Sequence, residues 1–223
     1  MKQGERVRTG DRLRTEPGGL ARLEFPWMSL TAGPATTVSI PDSVVLYTVL
    51  EQGRVELHAE GNEIVKLRTP EAEVRGRGRI VVRRDAGRTL VMAMAITGDF
   101  RVQAVTGLVE VRGGEGTIVR PRAAAPKAVK LLPPPAGLHP GADPVYVRMG
   151  ADLTLSWKPT TPGYYLELVP LDGDEVVLAR EVGSPPQKLR IPWLGTFRVR
   201  LSARDDSGLE GLPAEGLVCV VEK

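Results

Sequence analysis

Arginine side chains are the residues of this sequence whose type and spacing could do chemistry. Arg75, Arg77 and Arg79 alternate with glycines, so on a β-strand all three would project from one face. Guanidinium groups are always charged and carry five N–H donors, and three on one face could bind phosphate, carboxylate or an acidic partner. The alternative is a solvated face that neighbouring carboxylates neutralise, namely those of Glu71, Glu73 and Asp85.

Local catalytic and metal-ligating patterns are missing from the sequence. His58 and His139 have no Cys, Asp or His partner at a ligand spacing, so no metal site is expected. No Gly-x-Ser-x-Gly elbow marks a nucleophile. The segment 76–78 begins like a dinucleotide-binding fingerprint, but Val81 stands at the third glycine position. We expect no catalytic residue, no metal and no cofactor. A further hypothesis is an enzyme whose catalytic acid or triad is assembled from residues far apart in the sequence.

Aromatic side chains are few, at 4% of the chain, and most have a structural interpretation. Trp157, Tyr165 and Phe197 lie at alternating positions of predicted strands and are expected in a core. Trp193 is expected to plug one end of the same domain, whereas Trp27, at a strand end, is the candidate exposed platform for a ligand. So few aromatics disfavour stacking on single-stranded nucleic acid.

Composition and charge disfavour a polybasic protein and a transmembrane protein. The chain has 223 residues and a formal net charge of +3, which is no polybasic signature. Its longest strictly apolar run, residues 90–96, is far shorter than the ~20 residues of a transmembrane helix. Cys219 is the single cysteine, so no internal disulfide forms. Residues 1–5 carry no secretory signal, which leaves either a cytoplasmic protein or one whose leader has been removed.

Short alternating segments separated by Gly and Pro predict an all-β chain in two domains. The first domain is predicted over residues 1–122. Residues 123–143 are rich in Ala, Pro and Gly and are predicted to form a connector that includes part of the next domain's first strand. About seven short strands, most of them within residues 144–223, predict a two-sheet sandwich.

The first domain resembles the FecR domain over residues 4–122. The segments that carry the resemblance are Gly-Asp-Arg-Leu-Arg-Thr at 10–15, the A-x-L-x-F pattern at 21–25, L-x-x-G-x-x-T-x-V at 30–38, G-x-V-x-L at 53–57, T-P-E-A-E-V-R-G at 69–76 and G-x-V-x-V at 107–111. The sequence departs from the family after Gly76, where Arg77-Gly78-Arg79-Ile80 stands in place of Gly-Thr-x-Phe. A β-sandwich and a β-solenoid are both compatible with these period-two strands and glycine turns.

The second domain resembles a fibronectin type III or related immunoglobulin-like domain over residues 131–223. The resemblance rests on Leu155-Ser156-Trp157, on Tyr-Tyr-Leu-Glu-Leu at 164–168 and on the segment 195–208, which is similar to G-x-Y-x-W-R-V-x-A-x-D-x-x-G. It implies a seven-stranded immunoglobulin-like sandwich used for spacing and protein contact, with no catalytic residues of its own.

Together the two resemblances imply a location outside the inner membrane. FecR-like domains sense a partner's state and relay it to an anti-sigma segment, or stand beside binding modules in surface proteins. We therefore expect a periplasmic or cell-envelope protein-interaction, scaffold or sensory module, possessing no membrane anchor of its own, whose partner is an envelope protein or a cell-wall polymer. Edge-strand contacts could also join it into a homo-oligomer. The alternative function is binding of nucleic acid or another anionic polymer through the arginine face.

Overall fold

A computed structural model describes residues 6–26, 28–40, 47–59, 63–94, 98–124, 126–173 and 175–222. These residues form strands, turns and bends, which confirms the all-β class. Within these ranges no helix has the length and apolarity needed to cross a membrane. The chain divides into two compact units, Met1–Lys130 and Leu131–Lys223.

Twelve strands build the described part of the first unit. They are β1 (Arg12–Arg14), β2 (Ala21–Phe25), β3 (Met28–Ala32), β4 (Thr37–Ser39), β5 (Thr48–Ala59), β6 (Val65–Arg68), β7 (Ala72–Asp85), β8 (Arg88–Ala93), β9 (Asp99–Ala104), β10 (Gly107–Arg112), β11 (Glu115–Val119) and β12 (Val129–Lys130). They form one hydrogen-bonded sheet in which β5 and β7 are long enough to pair with four other strands each. The sheet therefore folds over on itself.

Strand β7 changes partners near its middle. Its antiparallel pairing with β9 ends at Arg77 opposite Asp99, and its pairing with β5 begins at Gly78 opposite Ala59. Gly78 has φ +96°, a conformation that glycine adopts without the steric cost of a Cβ. This glycine lies where one continuous strand passes from the first ladder to the second.

Both ladders bury their inner faces in one hydrophobic core. Leu67, Val74 and Val102 come from the first ladder, Leu57 and Ile80 from the second, and all five are fully buried in the same cluster. Alternation of buried and exposed residues along each strand produces this shared core. The pairs are antiparallel except for β5 with β6. This arrangement is a folded-over sandwich and not a solenoid of stacked repeats.

Two threonines of the segments 10–15 and 30–38 hold neighbouring backbones together in a buried polar cluster. The Thr36 hydroxyl accepts the Arg54 N–H (3.0 Å) and donates to the Arg54 carbonyl (3.1 Å). The Thr15 hydroxyl accepts the Thr36 N–H (2.8 Å) and donates to the Gly33 carbonyl (2.6 Å). Gly53 has φ +94°, and a Cβ there would lie 2.4 Å from the Thr36 hydroxyl oxygen. These threonines and glycines are therefore required by the backbone contacts.

A buried ion pair joins Glu71, in the segment T-P-E-A-E-V-R-G at 69–76, to Arg84 on β7. Both carboxylate oxygens of Glu71 accept hydrogen bonds from Arg84, at 2.8 and 2.9 Å, and one also accepts the Thr89 hydroxyl at 2.8 Å. The Thr69 hydroxyl accepts the Ala72 N–H (3.0 Å) and holds the turn. Burial raises the pKa of Glu71, but the hydrogen bonds and the charge of Arg84 outweigh it and hold the pKa below its ordinary value.

The described part of the second unit has seven strands. They are β13 (Val145–Arg148), β14 (Asp152–Leu155), β15 (Gly163–Pro170), β16 (Leu178–Val182), β17 (Gln187–Arg190), β18 (Gly195–Arg204) and β19 (Ala214–Val221). Five form one sheet in the order β13-β19-β18-β15-β16, and β14 pairs with β17 in a second sheet. The seven strands agree with the number predicted from the sequence, although β13, which runs parallel to β19, was not among the segments identified there.

The core of the second unit differs from the prediction at one aromatic residue. Trp157 and Phe197 are buried in the core as expected, and Trp157 packs edge-on against Tyr164 at a ring separation of 5.0 Å. Tyr165 is buried but lies outside this cluster, because consecutive strand residues point to opposite faces. Tyr164 therefore takes the core position that Tyr165 was expected to hold.

Candidate anion-binding groove

Charged side chains form rows across the outer face of four neighbouring strands of the first unit. Lys66 on β6 stands opposite Arg75 on β7, which stands opposite Arg101 on β9, and Arg101 stands opposite Glu110 on β10. The residues that alternate with them, such as Val74, are buried in the core. Pairing register and strand alternation together therefore place these charges on one surface.

A second row lies directly beside the first. Arg77 on β7 is opposite Asp99 on β9, and Asp99 is opposite Arg112 on β10. The two rows line an open groove of about 1320 Å³. Its described lining includes five cationic side chains and two carboxylates: Lys66, Arg75, Arg77, Arg101, Arg112, Asp99 and Glu110. The groove therefore carries an excess of positive charge.

Arg75 is held in place by an aromatic and acidic cluster. Its guanidinium donates to the Tyr47 hydroxyl, forms an ion pair with Glu73 and lies 5.3 Å from the centre of the Tyr47 ring, while Arg68 lies 4.8 Å from the same ring. The Tyr47 hydroxyl donates to Glu73 at 2.9 Å. Burial raises the pKa of Glu73, but these hydrogen bonds and the charge of Arg75 outweigh it and keep the pKa low. Arg75 is thus oriented at the wall of the groove.

Three cations of the groove, Lys66, Arg77 and Arg112, have no carboxylate within ion-pair distance among the described residues, and two of them are arginines. The Arg112 backbone N–H donates to Glu115 at 3.0 Å, which leaves its guanidinium uncommitted. Arg101 reaches Glu110 only at 3.8 Å, and both side chains are largely exposed. An exposed pair of this length contributes little stability and is readily exchanged for another partner.

Arg79 is separated from Arg75 and Arg77 along β7, although the three residues alternate on the same strand. All three point outward, but Arg79 follows the change of partners at Gly78, and its guanidinium donates to Glu56 of β5 at 2.7 Å. It is not among the described residues that line the groove. Trp27, the candidate aromatic platform, lies outside the described residues.

Of the three carboxylates expected to neutralise Arg75, Arg77 and Arg79, one pairs with a member of this series, and the other two pair with arginines later on β7 or at the start of β8. Glu73 pairs with Arg75 and Glu71 with Arg84, while Asp85 pairs with both Arg83 and Arg88.

Three cations of the groove were missed by the sequence analysis: Lys66, Arg101 and Arg112. Each alternates with buried valines or leucines on a neighbouring strand, a signal that was visible in the sequence. What the sequence does not show is the order of the strands, which brings them beside Arg75 and Arg77.

The groove is suited to binding anions. In the described ranges no group of three or more His, Cys, Asp or Glu side chains could hold a metal ion. Guanidinium groups bind carboxylates or phosphates through paired N–H donors, and their charge is independent of pH in the physiological range.

Comparison with known proteins gives limited similarity. No protein-family model matches the chain, and no curated protein matches it. Two crystal structures of a candidate anti-sigma factor from Parabacteroides distasonis, at 1.65 and 2.50 Å resolution, are similar to part of the chain, each with 15% sequence identity and a TM-score of 0.45. Each similarity covers 54% of this chain and 59% of the other. The chain therefore spans little more than half the length of those structures.

Proposed function

We propose that this chain is a non-enzymatic binding module of the bacterial cell envelope, a protein-interaction or sensory scaffold whose first unit binds an acidic partner in the cationic groove. The resemblance of the first unit to FecR domains and of the second to fibronectin type III domains supports the envelope location. The groove supports the binding role.

One observation carries the proposal. Arg77 and Arg112 flank the groove on opposite sides of Asp99 and have no ion-pair partner among the described residues, while Arg75 beside them is fixed by Tyr47 and Glu73. A carboxylate that bridges two such guanidiniums gains charge-assisted hydrogen bonds, each of about 1.5–3 kcal/mol.

An acidic protein segment suits the groove better than a nucleic acid does. The lining includes the partly exposed side chain of Ile64, which offers apolar contact to a peptide. Phe100 of the lining is buried and presents no ring for base stacking, and the exposed ring among the described lining residues is the imidazole of His58. An anionic polymer is the second candidate because the same five cations would also take phosphate groups.

A binding experiment with the full chain tests the groove. A fluorescein-labelled peptide of alternating Asp and Gly is titrated against the protein at several salt concentrations, alongside a single-stranded oligonucleotide of equal charge. We expect the double variant R77E/R112E to bind the peptide at least tenfold more weakly. The control is Arg190→Glu in the second unit, an exposed arginine that lies outside the groove and pairs with Asp152. Unchanged affinity of R77E/R112E for the peptide contradicts the proposal. Tighter binding of the oligonucleotide than of the peptide would show that the ligand of the groove is an anionic polymer and not an acidic protein.

A second experiment tests the location. The protein is expressed from its complete native gene, and its digestion by added protease is compared in spheroplasts and in lysed cells. Digestion in intact spheroplasts is the expected result. Protection until lysis contradicts the envelope location and favours a cytoplasmic anionic partner.

A further inference from the structure

A second groove lies at one end of the five-stranded sheet of the second unit, where β15 ends at Pro170 and β18 begins at Gly195. Its volume is about 540 Å³, within the ~300–1,000 Å³ typical of ligand pockets. Side chains from three segments form its apolar walls: Pro170, Leu171, Val177, Trp193, Leu194 and Phe197. Both strand ends and the loop that precedes β16 are therefore needed to build it.

The rim of this groove is unusually apolar for an exposed surface. Leu171, Trp193 and Leu194 are 46%, 43% and 47% exposed, so Trp193 does not plug the sandwich as expected from the sequence. Single exposed apolar residues are ordinary, but three around one concave site mark a surface that gains free energy when it is covered. The indole ring is the largest of them and offers a flat contact face.

The polar groups of the groove define the chemistry of its ligand. Asp172 lines it, and no Lys or Arg of the described chain lies within ion-pair distance of this carboxylate. The backbone N–H groups of Trp193 and Leu194 donate to no backbone carbonyl in the described part of the chain. The groove thus combines an apolar wall, one negative charge and two lining residues whose backbone N–H groups have no backbone acceptor in the described part of the chain.

We propose that this groove binds an extended peptide in which an apolar residue stands next to a lysine or arginine. The apolar side chain would pack between Trp193 and the two leucines, the cation would pair with Asp172, and a peptide carbonyl would accept from the backbone N–H groups. A saccharide fits less well, because six apolar side chains would face its hydroxyl groups. The site uses none of the residues of the cationic groove, so the proposal goes beyond the acidic partner proposed for the first unit.

The full chain is titrated with the peptide Gly-Pro-Leu-Lys-Pro-Leu-Gly, whose prolines favour an extended backbone. Binding is followed by the indole N–H resonances in nitrogen–proton correlation spectra. We expect the Trp193 resonance, assigned from its loss in Trp193→Phe, to shift, and Trp157 to stay unchanged. Trp193→Ala should weaken binding at least tenfold and Asp172→Asn about fivefold, while Tyr146→Ala, an exposed aromatic elsewhere in the unit, should have no effect.

Peptide variants separate the two contacts. Replacing the lysine with glutamate should reduce affinity further than Asp172→Asn does, and replacing both leucines with serine should abolish binding. The proposal is overturned if the peptide binds Trp193→Ala as tightly as the parent protein, or if a chitin oligosaccharide shifts the Trp193 resonance and the peptide does not. R77E/R112E must leave this peptide's affinity unchanged, so failure here is distinguishable from failure of the acidic-partner proposal.

Discussion

Replacing Glu71 with glutamine tests the buried ion pair that closes the segment 69–76. The variant keeps the size of the side chain but removes the negative charge that faces Arg84. Glu71 has a side chain only 4% exposed, against 23% for Arg84. The arginine therefore loses its partner in a place that water reaches only in part, and the Thr89 hydroxyl loses a charged acceptor.

The magnitude follows from the three hydrogen bonds that Glu71 accepts. Losing about 1 kcal/mol for each gives a destabilisation of about 3 kcal/mol, at the low end of the range for a broken buried pair because Arg84 keeps some solvent. At roughly 3–5 °C per kcal/mol for a domain of this size, the melting transition of the first unit should fall by about 10 °C.

The effect should depend on pH in one direction. The pKa of Glu71 is lowered in the folded protein, so its carboxylate contributes stability above the ordinary value of 4.5. This contribution is lost as the pH falls through the lowered pKa. The difference between the parent protein and Glu71→Gln should therefore be full at pH 7 and should shrink progressively below about pH 4.5.

Denaturant unfolding of the full chain, combined with hydrogen exchange of peptides from each unit, measures the effect in the correct unit. The matched control is Asp152→Asn, which removes a carboxylate that is 39% exposed and pairs with Arg190; it should cost less than about 0.5 kcal/mol. Adding Arg84→Met to Glu71→Gln should recover part of the loss, because the uncompensated charge is removed. A loss below 0.5 kcal/mol for Glu71→Gln at pH 7, or one that persists unchanged at pH 3, refutes the reasoning.

Four further substitutions have defined outcomes. Gly53→Ala should destabilise the first unit by about 3 kcal/mol or more in thermal unfolding, because the added Cβ would clash with the Thr36 hydroxyl at 2.4 Å. Gly87→Ala is the control: Gly87 also has a positive φ, but no atom lies near the added Cβ, so this substitution should cost about 1 kcal/mol. Tyr47→Phe should cost about 1 kcal/mol in the same assay through loss of the hydrogen bond to Glu73. Burial raises the pKa of Tyr164, but two backbone N–H groups that donate to its hydroxyl lower the pKa to about 8. Phenolate absorbance at 295 nm should therefore appear near pH 8 and be absent in Tyr164→Phe. Because the pKa is lower in the folded protein than in the unfolded chain, this group adds stability as the pH rises from 8 towards 10.

Local sequence patterns were sufficient to predict the class of fold. Alternation such as that of Ala21, Leu23 and Phe25 fixes which residues of a strand can face a core, whatever the strand pairs with. The glycine turns and proline-rich segment separate these strands, which is why the all-β class and the seven strands of the second unit were predicted.

Tertiary structure decided which charges share a surface. Alternation places Arg75, Arg77 and Arg79 outward, but only the change of pairing at Gly78 separates Arg79 from the other two. Alternation likewise cannot bring Arg101 and Arg112 to the groove, because strand order is a property of the folded sheet. The direction of a side chain is a local property that the sequence of each strand determines. Which strands lie next to each other depends on hydrogen bonds between segments far apart in the sequence, and the groove exists only because these particular strands are neighbours.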